Sequence, residues 1–320
     1  MKDLSQDIPG RQKSKLDRLY GQVQGSEAVI DAVRGGKADF LNKIAATGLN
    51  ADSSQTHSFD DLEAQAFILA LPSIRDAEEM RRKAYMTFIA HWFDDFVDRS
   101  DQSQSAVSAM YEHRMDPVRA LASMGTVGEL AAKTMASTKH PAAALRGFQR
   151  MIYGGLVIQA DSSGVGTPEA LRAEYQRLVS ESLTRKFAQE IAGIRPDAYW
   201  LTTKTVQELF FSLEQEYNDN IAEAWSLLYA PALYYHNIDE EEDVGEVQPG
   251  ERPPVDELKK TMQIGARYAT QFQDPLFKER LVQMSFIISA FAQVLPADIY
   301  SEYVSIYAGM VNHKEEPKAD

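Results

Sequence analysis

The 320-residue chain carries 47 acidic against 33 basic side chains, and its net charge of −14 excludes nucleic acid and anionic membrane as partners. With no cysteine, disulfides, thiolate catalysis and cysteine-ligated zinc are excluded within the chain. Hydrophobic residues at 44% supply a core for one large domain, and the 14 Phe and 14 Tyr suffice to line an apolar cavity.

Residues 1–15, MKDLSQDIPGRQKSK, are polar and lack the apolar run of a signal peptide. No stretch reaches the roughly 20 apolar residues that span a bilayer. A cytoplasmic protein without stable membrane insertion is the expectation. Helical spacing begins at Leu16, Leu19, Tyr20 and Val23 and resumes at Ala28, Val29, Ala32 and Val33, with Gly35-Gly36 read as an interruption. A polar loop over 49–60 precedes a helix from Asp61 to Leu71, which stops before Pro72.

A long helix is predicted over 76–98. Further helices follow at 105–123, 127–138, 141–160, 168–192, 202–229, 231–240, 256–271, 275–294 and 297–311. Pro141, Pro168, Pro231 and Pro275 stand at or near helix starts, where proline is tolerated. No alternating β-branched run is bounded by an Asn-Gly or Asp-Gly turn. The expectation is an all-α fold: a flexible 1–15, one helical domain over 16–312 and a flexible 313–320.

Two acidic clusters carry the chemistry. The first is HWFDDFVDRS, in which Asp94 and Asp98 lie four apart and share a helix face, with Asp95 beside Asp94. Three carboxylates near a helix C-terminus oppose the macrodipole, and like charges four apart repel by about 0.2–0.5 kcal/mol per pair. A cation is the natural compensation. Magnesium takes carboxylate oxygens, keeps waters and bridges to substrate phosphates. A solvated helix end, with Arg99 as counter-charge, is the plainer reading. The second cluster is YHNIDEEED, where Asp239 and Asp243 are again four apart and Glu242 is three from Asp239. Both clusters close apolar stretches, and both place a histidine, His91 or His236, three residues before the first aspartate. Facing pairs of this kind chelate a magnesium cluster that binds a diphosphate.

Together the clusters resemble the trans-isoprenoid, or class I terpene, synthase superfamily, and within it the large-terpene group that includes tetraprenyl-β-curcumene synthase. That group carries DYLDNLxD followed by Arg-Ser, and DYFIDxEED. Asp94 and Asp98 fall on its second and third first-site aspartates, with Arg99 and Ser100 continuing the match; Asp239, Glu242 and Asp243 fall on the second-site acids. His91 and Tyr235 stand where the family has its leading aspartates, and Asp95 replaces an asparagine.

The resemblance implies a single large helical bundle with a central apolar cavity. It also implies a lyase of isoprenoid biosynthesis acting on a prenyl diphosphate of C15 or longer, or a prenyltransferase. Magnesium would be held by Asp94, Asp95, Asp98, Asp239, Glu242 and Asp243, with Asp94, Asp98, Asp239 and Asp243 as the catalytic set. Basic residues of the central region grip the phosphate in that superfamily, which makes Arg177, Arg185 and Lys186 candidates; Tyr175 is a candidate for the cavity wall.

Other readings stay open. Asn218, Asp219 and Glu223 form an alternative second metal site, although Gln215, Asp219 and Glu223 share a face that reads equally as solvent-exposed. The two histidines suit a dinuclear oxygenase or hydrolase holding Mn²⁺ or Fe²⁺, although the Glu-x-x-His signature of helical di-iron proteins is missing. A non-catalytic prenyl-binding or assembly protein is the third class. A homodimer is left open.

Overall fold

The computed structural model describes residues 27–48, 59–73, 76–98, 116–162, 206–214, 216–229, 255–291 and 295–313. Isolated positions at 105, 108–109, 112–113, 169, 172–173, 176–177 and 190 are also described. All regular structure among the described residues is helical, as expected, and no strand occurs among them. The expected termini 1–15 and 314–320, the 231–240 helix and nearly all of 168–192 lie outside the described residues.

The helices are α1 (Glu27–Thr47), α2 (Phe59–Ala70), α3 (Ala77–Asp98), α4 (Pro117–Ser123), α5 (Thr126–Ala136) and α6 (Pro141–Ser162). A π-helical turn, Val206–Phe210, runs into a 3₁₀ turn, Phe211–Leu213. Residues 219–229 form α7, and α8 (Val255–Gln271), α9 (Phe277–Phe291) and α10 (Ala297–Val311) complete the order. One hydrophobic core draws on buried residues from Val29 to Met310.

Helix α3 is central. Asp76 starts it, its Oδ1 accepting from the N–H groups of Glu78 at 3.1 Å and Glu79 at 2.9 Å, which also sit in the acidic first turn that the macrodipole favours. Every residue from Met86 to Ala90, and again Trp92 and Phe93, is buried. A helix buried on all sides packs against partners around its circumference. Here Phe40 of α1 meets Phe88 and Trp92, with ring centroids 5.9 Å away in each case, and Phe93 meets Phe148 of α6 at 5.1 Å.

Three boundaries differ from the sequence reading. Gly35-Gly36 does not interrupt α1. A Cβ on Gly36 would lie 2.7 Å from both Ala84 Cβ and Tyr85 N, so the glycine is where α1 presses onto α3. The helix ends instead at Gly48, whose φ of +77° is the left-handed conformation that closes helices.

The predicted 105–123 helix is divided at Asp116. That residue is extended because proline follows it, and it caps α4 through Val118 and Arg119 N–H. The predicted 202–229 helix is divided as well. The chain tightens through the π and 3₁₀ turns and becomes extended at Glu214, and Asn218 then starts α7 by accepting from Asn220 and Ile221 N–H.

The physical reason for that break is charge. Glu214 is buried between α3 and α9. Its carboxylate accepts from Lys83 Nζ at 2.7 Å and from two Arg280 nitrogens at 2.5 and 3.2 Å. Arg280 Nε continues to Asp274 at 3.0 Å, and Asp274 also accepts from Trp225 Nε1 at 2.8 Å. The Phe211 ring lies against both cations, 5.3 Å from Lys83 Nζ and 5.0 Å from the Arg280 guanidinium. Two positive and two negative groups therefore balance inside the core, and a straight helix would carry Glu214 past both partners.

Burial alone would push the Glu214 carboxyl up, but Lys83 and Arg280 outweigh it and hold the group below its ordinary value near 4.5. A depressed carboxylate contributes stability that is fully present above its unfolded value and lost as pH falls through the folded one. Replacing Glu214 by Gln leaves buried Lys83 without its counter-charge while Arg280 keeps Asp274, so the variant should lose about 3–5 kcal/mol at neutral pH, measured by urea denaturation. The gap to the parent protein should narrow below about pH 4.5. A constant gap across that range would mean that Glu214 is not the titrating anchor.

Candidate functional site

The first acidic cluster ends the central helix. Helix α3 continues without a break through Asp98, so positions 94, 95 and 98 keep the register of a core helix rather than fraying into a loop. The two turns before them are buried, up to Phe93 at 1% exposure. No basic residue stands in the last turn to offset the helix dipole. The side chains of Asp94, Asp95 and Asp98 themselves lie outside the described residues. The cluster positions therefore follow directly on a stretch of α3 in which Phe88, Ile89, Ala90, Trp92 and Phe93 are buried.

His91 is on the same face, one turn earlier. It is half-buried, and its Nδ1 lies 2.9 Å from the carbonyl oxygen of Thr87. A carbonyl only accepts, so Nδ1 donates and carries the ring proton. In the neutral ring Nε2 is then the basic nitrogen. Thr87 is itself fixed, its hydroxyl donating to the Lys83 carbonyl at 3.0 Å. The orientation of the imidazole is therefore referred back, turn by turn, to the buried Lys83–Glu214 pair.

Of the other expected site residues, Asp239, Glu242, Asp243, Tyr235, His236, Tyr175, Arg185 and Lys186 lie outside the described residues. Arg177 is helical in backbone and exposed. The alternative second metal site is described, and its three members do different work. Asn218 is the cap of α7. The Asp219 carboxylate faces Arg146 at 3.5 Å. Glu223 is fully buried, which corrects the expectation of a solvent-exposed face for that residue, and Gln215 lies outside the described residues.

A second polar group surrounds Glu208 of the π turn, which pairs with Arg150 and, at 3.4 Å, with Arg146. Close by, a cavity of about 790 Å³ is lined by Lys139, His140, Arg146, Tyr217, Asn218 and Asp219. The Tyr217 hydroxyl is raised well above the ordinary phenol range by burial first and then by the nearby carboxylates of Asp219 and Glu208. Among the described residues no group of three or more His, Asp or Glu side chains is arranged to hold a metal ion.

The buried quartet of Lys83, Glu214, Asp274 and Arg280 was missed from sequence as a unit. One trace of it was visible: Lys83 is a lone lysine on the apolar stripe formed by Met80, Ala84 and Thr87.

No family model, no curated protein and no solved structure matches this chain.

The roles of Asn218 and Asp219 give a direct test of the alternative metal site. Asn218→Ala should cost about 0.5–2 kcal/mol of stability by loss of the cap. It should leave binding of divalent cations, followed by calorimetry, unchanged. A variant that keeps its stability and loses cation binding would restore these residues as ligands.

Proposed function

We propose that the protein is a class I terpene synthase that ionises a linear prenyl diphosphate of C15 or longer, releases diphosphate, and carries the allylic cation on by cyclisation or elimination. The observation that supports this best is the continuation of the buried helix α3 through Asp98, which sets the Asp94, Asp95 and Asp98 positions at the end of an aromatic, water-poor core element. The resemblance of both acidic clusters to the large-terpene group points the same way.

Carboxylate oxygens suit magnesium, so Asp94, Asp95 and Asp98, together with Asp239, Glu242 and Asp243, are the residues that would hold it. Such a cation supplies neutralisation of the departing diphosphate. The chain's own residues do the rest. Aromatic faces of the kind presented by Phe88, Trp92 and Phe93 stabilise a carbocation and exclude the water that would capture it. Lys83 and Arg280 are committed to Glu214, so they are not the cations that grip the phosphate. That role falls to Arg177, Arg185 and Lys186, the candidates of the central region.

The test is incubation of the purified protein with C10 to C25 prenyl diphosphates, with and without magnesium, followed by mass spectrometry of the extracts. Magnesium-dependent release of a hydrocarbon or terpene alcohol from a C15 or longer substrate is expected. Asp94→Ala should abolish it while the far-ultraviolet circular dichroism stays that of the parent. Full turnover by that variant, or no turnover of any chain length, would sink the assignment.

A further inference from the structure

The outward face of α10 carries no charge. At the 100° per residue of an α-helix, Ala297, Ser301, Val304, Ser305, Ala308 and Asn312 fall within about 100° of arc, and all six are exposed. The opposite face, with Ile299, Tyr303, Ile306 and Met310, is buried in the core. Charged residues make up 25% of the chain, and other helices show them outside: Asp31 and Arg34 on α1, Glu129 and Lys133 on α5. The α10 face is also apolar in effect. Ser301 turns its hydroxyl back onto its own helix, donating to the Ala297 carbonyl at 2.7 Å. On α9, which packs beside α10, Ser285 donates in the same way to Val282 at 2.6 Å. Covering these serines therefore strands no O–H donor. Among the described residues the large hydrophobics left exposed are Val118, Val282, Val304 and Val311, and the last three stand on α9 and α10. Gly309, at the edge of the face, is uncovered as well: a Cβ there would meet nothing within 4 Å.

We infer that this face is where a second copy of the chain docks, α10 against α10 about a two-fold axis. The choice of occupant follows from charge. Each chain carries a net charge of −14, so two copies repel where charged faces meet and approach at least cost where neither presents charge. A two-fold axis makes such a face its own complement. Exposed alanine, serine and glycine let the two backbones come close, while Val304 and Val311, at 42% and 51% exposure, supply the apolar contact. The 15-residue helix is about 22 Å long and about 10–12 Å wide, which falls short of the roughly 800 Å² per partner of stable complexes. The dimer is therefore one that dissociates on dilution.

Analytical ultracentrifugation of the full chain over a wide range of concentrations tests this. Sedimentation should pass from that of a monomer to that of a dimer, and added salt, which screens the mutual repulsion, should move the transition to lower concentration. Ala308→Glu sets a carboxylate in the middle of an exposed face and spares the core. It should stay monomeric where the parent is dimeric, with unchanged circular dichroism. The chain has no cysteine, so a single introduced one can link only to another copy. Mild oxidation should link Ser305→Cys into a covalent dimer far faster than Asp31→Cys on the exposed face of α1. A parent that is monomeric at every concentration, a dimer that survives Ala308→Glu, or equal linkage of the two cysteine variants overturns the inference. None of these results touches the proposed function.

Discussion

The carboxylate of Glu214 is the constraint on which much of the remaining structure depends. It is 3% exposed and has two cationic partners on different helices, Lys83 of α3 and Arg280 of α9. Lys83 would be unpaired without it, and an unpaired charge in the core costs several kcal/mol, whereas Arg280 divides its guanidinium between Glu214 and Asp274. The chain gives up regular helix to satisfy this arrangement. It passes through a π turn, a 3₁₀ turn and an extended residue before helix resumes at 219. Phe211, placed by the same break, covers both cations with its ring and keeps water from them.

That anchor also determines what α3 can present at its far end. A buried ion pair is weak evidence for net stability but strong evidence for a unique arrangement, since register shifts of either helix would strand a charge. Lys83 fixes the rotation of α3 about its axis. Three turns on, the same rotation decides which face carries positions 91, 94, 95 and 98. Gly36 tightens the same alignment from the other side, because α1 approaches so closely there that no Cβ fits. Precision at the acidic end is therefore set by polar and steric contacts in the opposite half of the helix, well away from the chemistry proposed for it.

The helical class and most helix positions were legible because their signals are local. The proline at 141 and the stripe of Leu258, Thr261, Met262, Gly265 and Ala269 on α8 are readable over a few residues. What was misread depended on partners distant in sequence. Gly35-Gly36 has the composition of a break, yet its function is the contact with Ala84 and Tyr85. Residues 202–229 have continuous helical periodicity, and the partners that hold Glu214 at the break, Lys83 and Arg280, lie 131 and 66 positions away. The division at Asp116 was a local signal passed over: a residue before proline resists the helical conformation.

The candidate site was legible in a different sense. Carboxylates at i and i+4 announce their chemistry through residue type and spacing, so Asp94 and Asp98 could be named from the sequence. Their significance comes from position, since the same motif on an exposed helix would be ordinary solvated surface. Burial of Phe88, Ile89, Ala90, Trp92 and Phe93 is what the structure adds, and periodicity alone is ambiguous there because a helix buried around most of its circumference has little polar face to mark it. His91 illustrates the limit most clearly. From sequence it was a substitution for an expected acid, equally compatible with a lost site. The structure adds that its ring is held by the Thr87 carbonyl one turn back, a contact that residue type and spacing do not report.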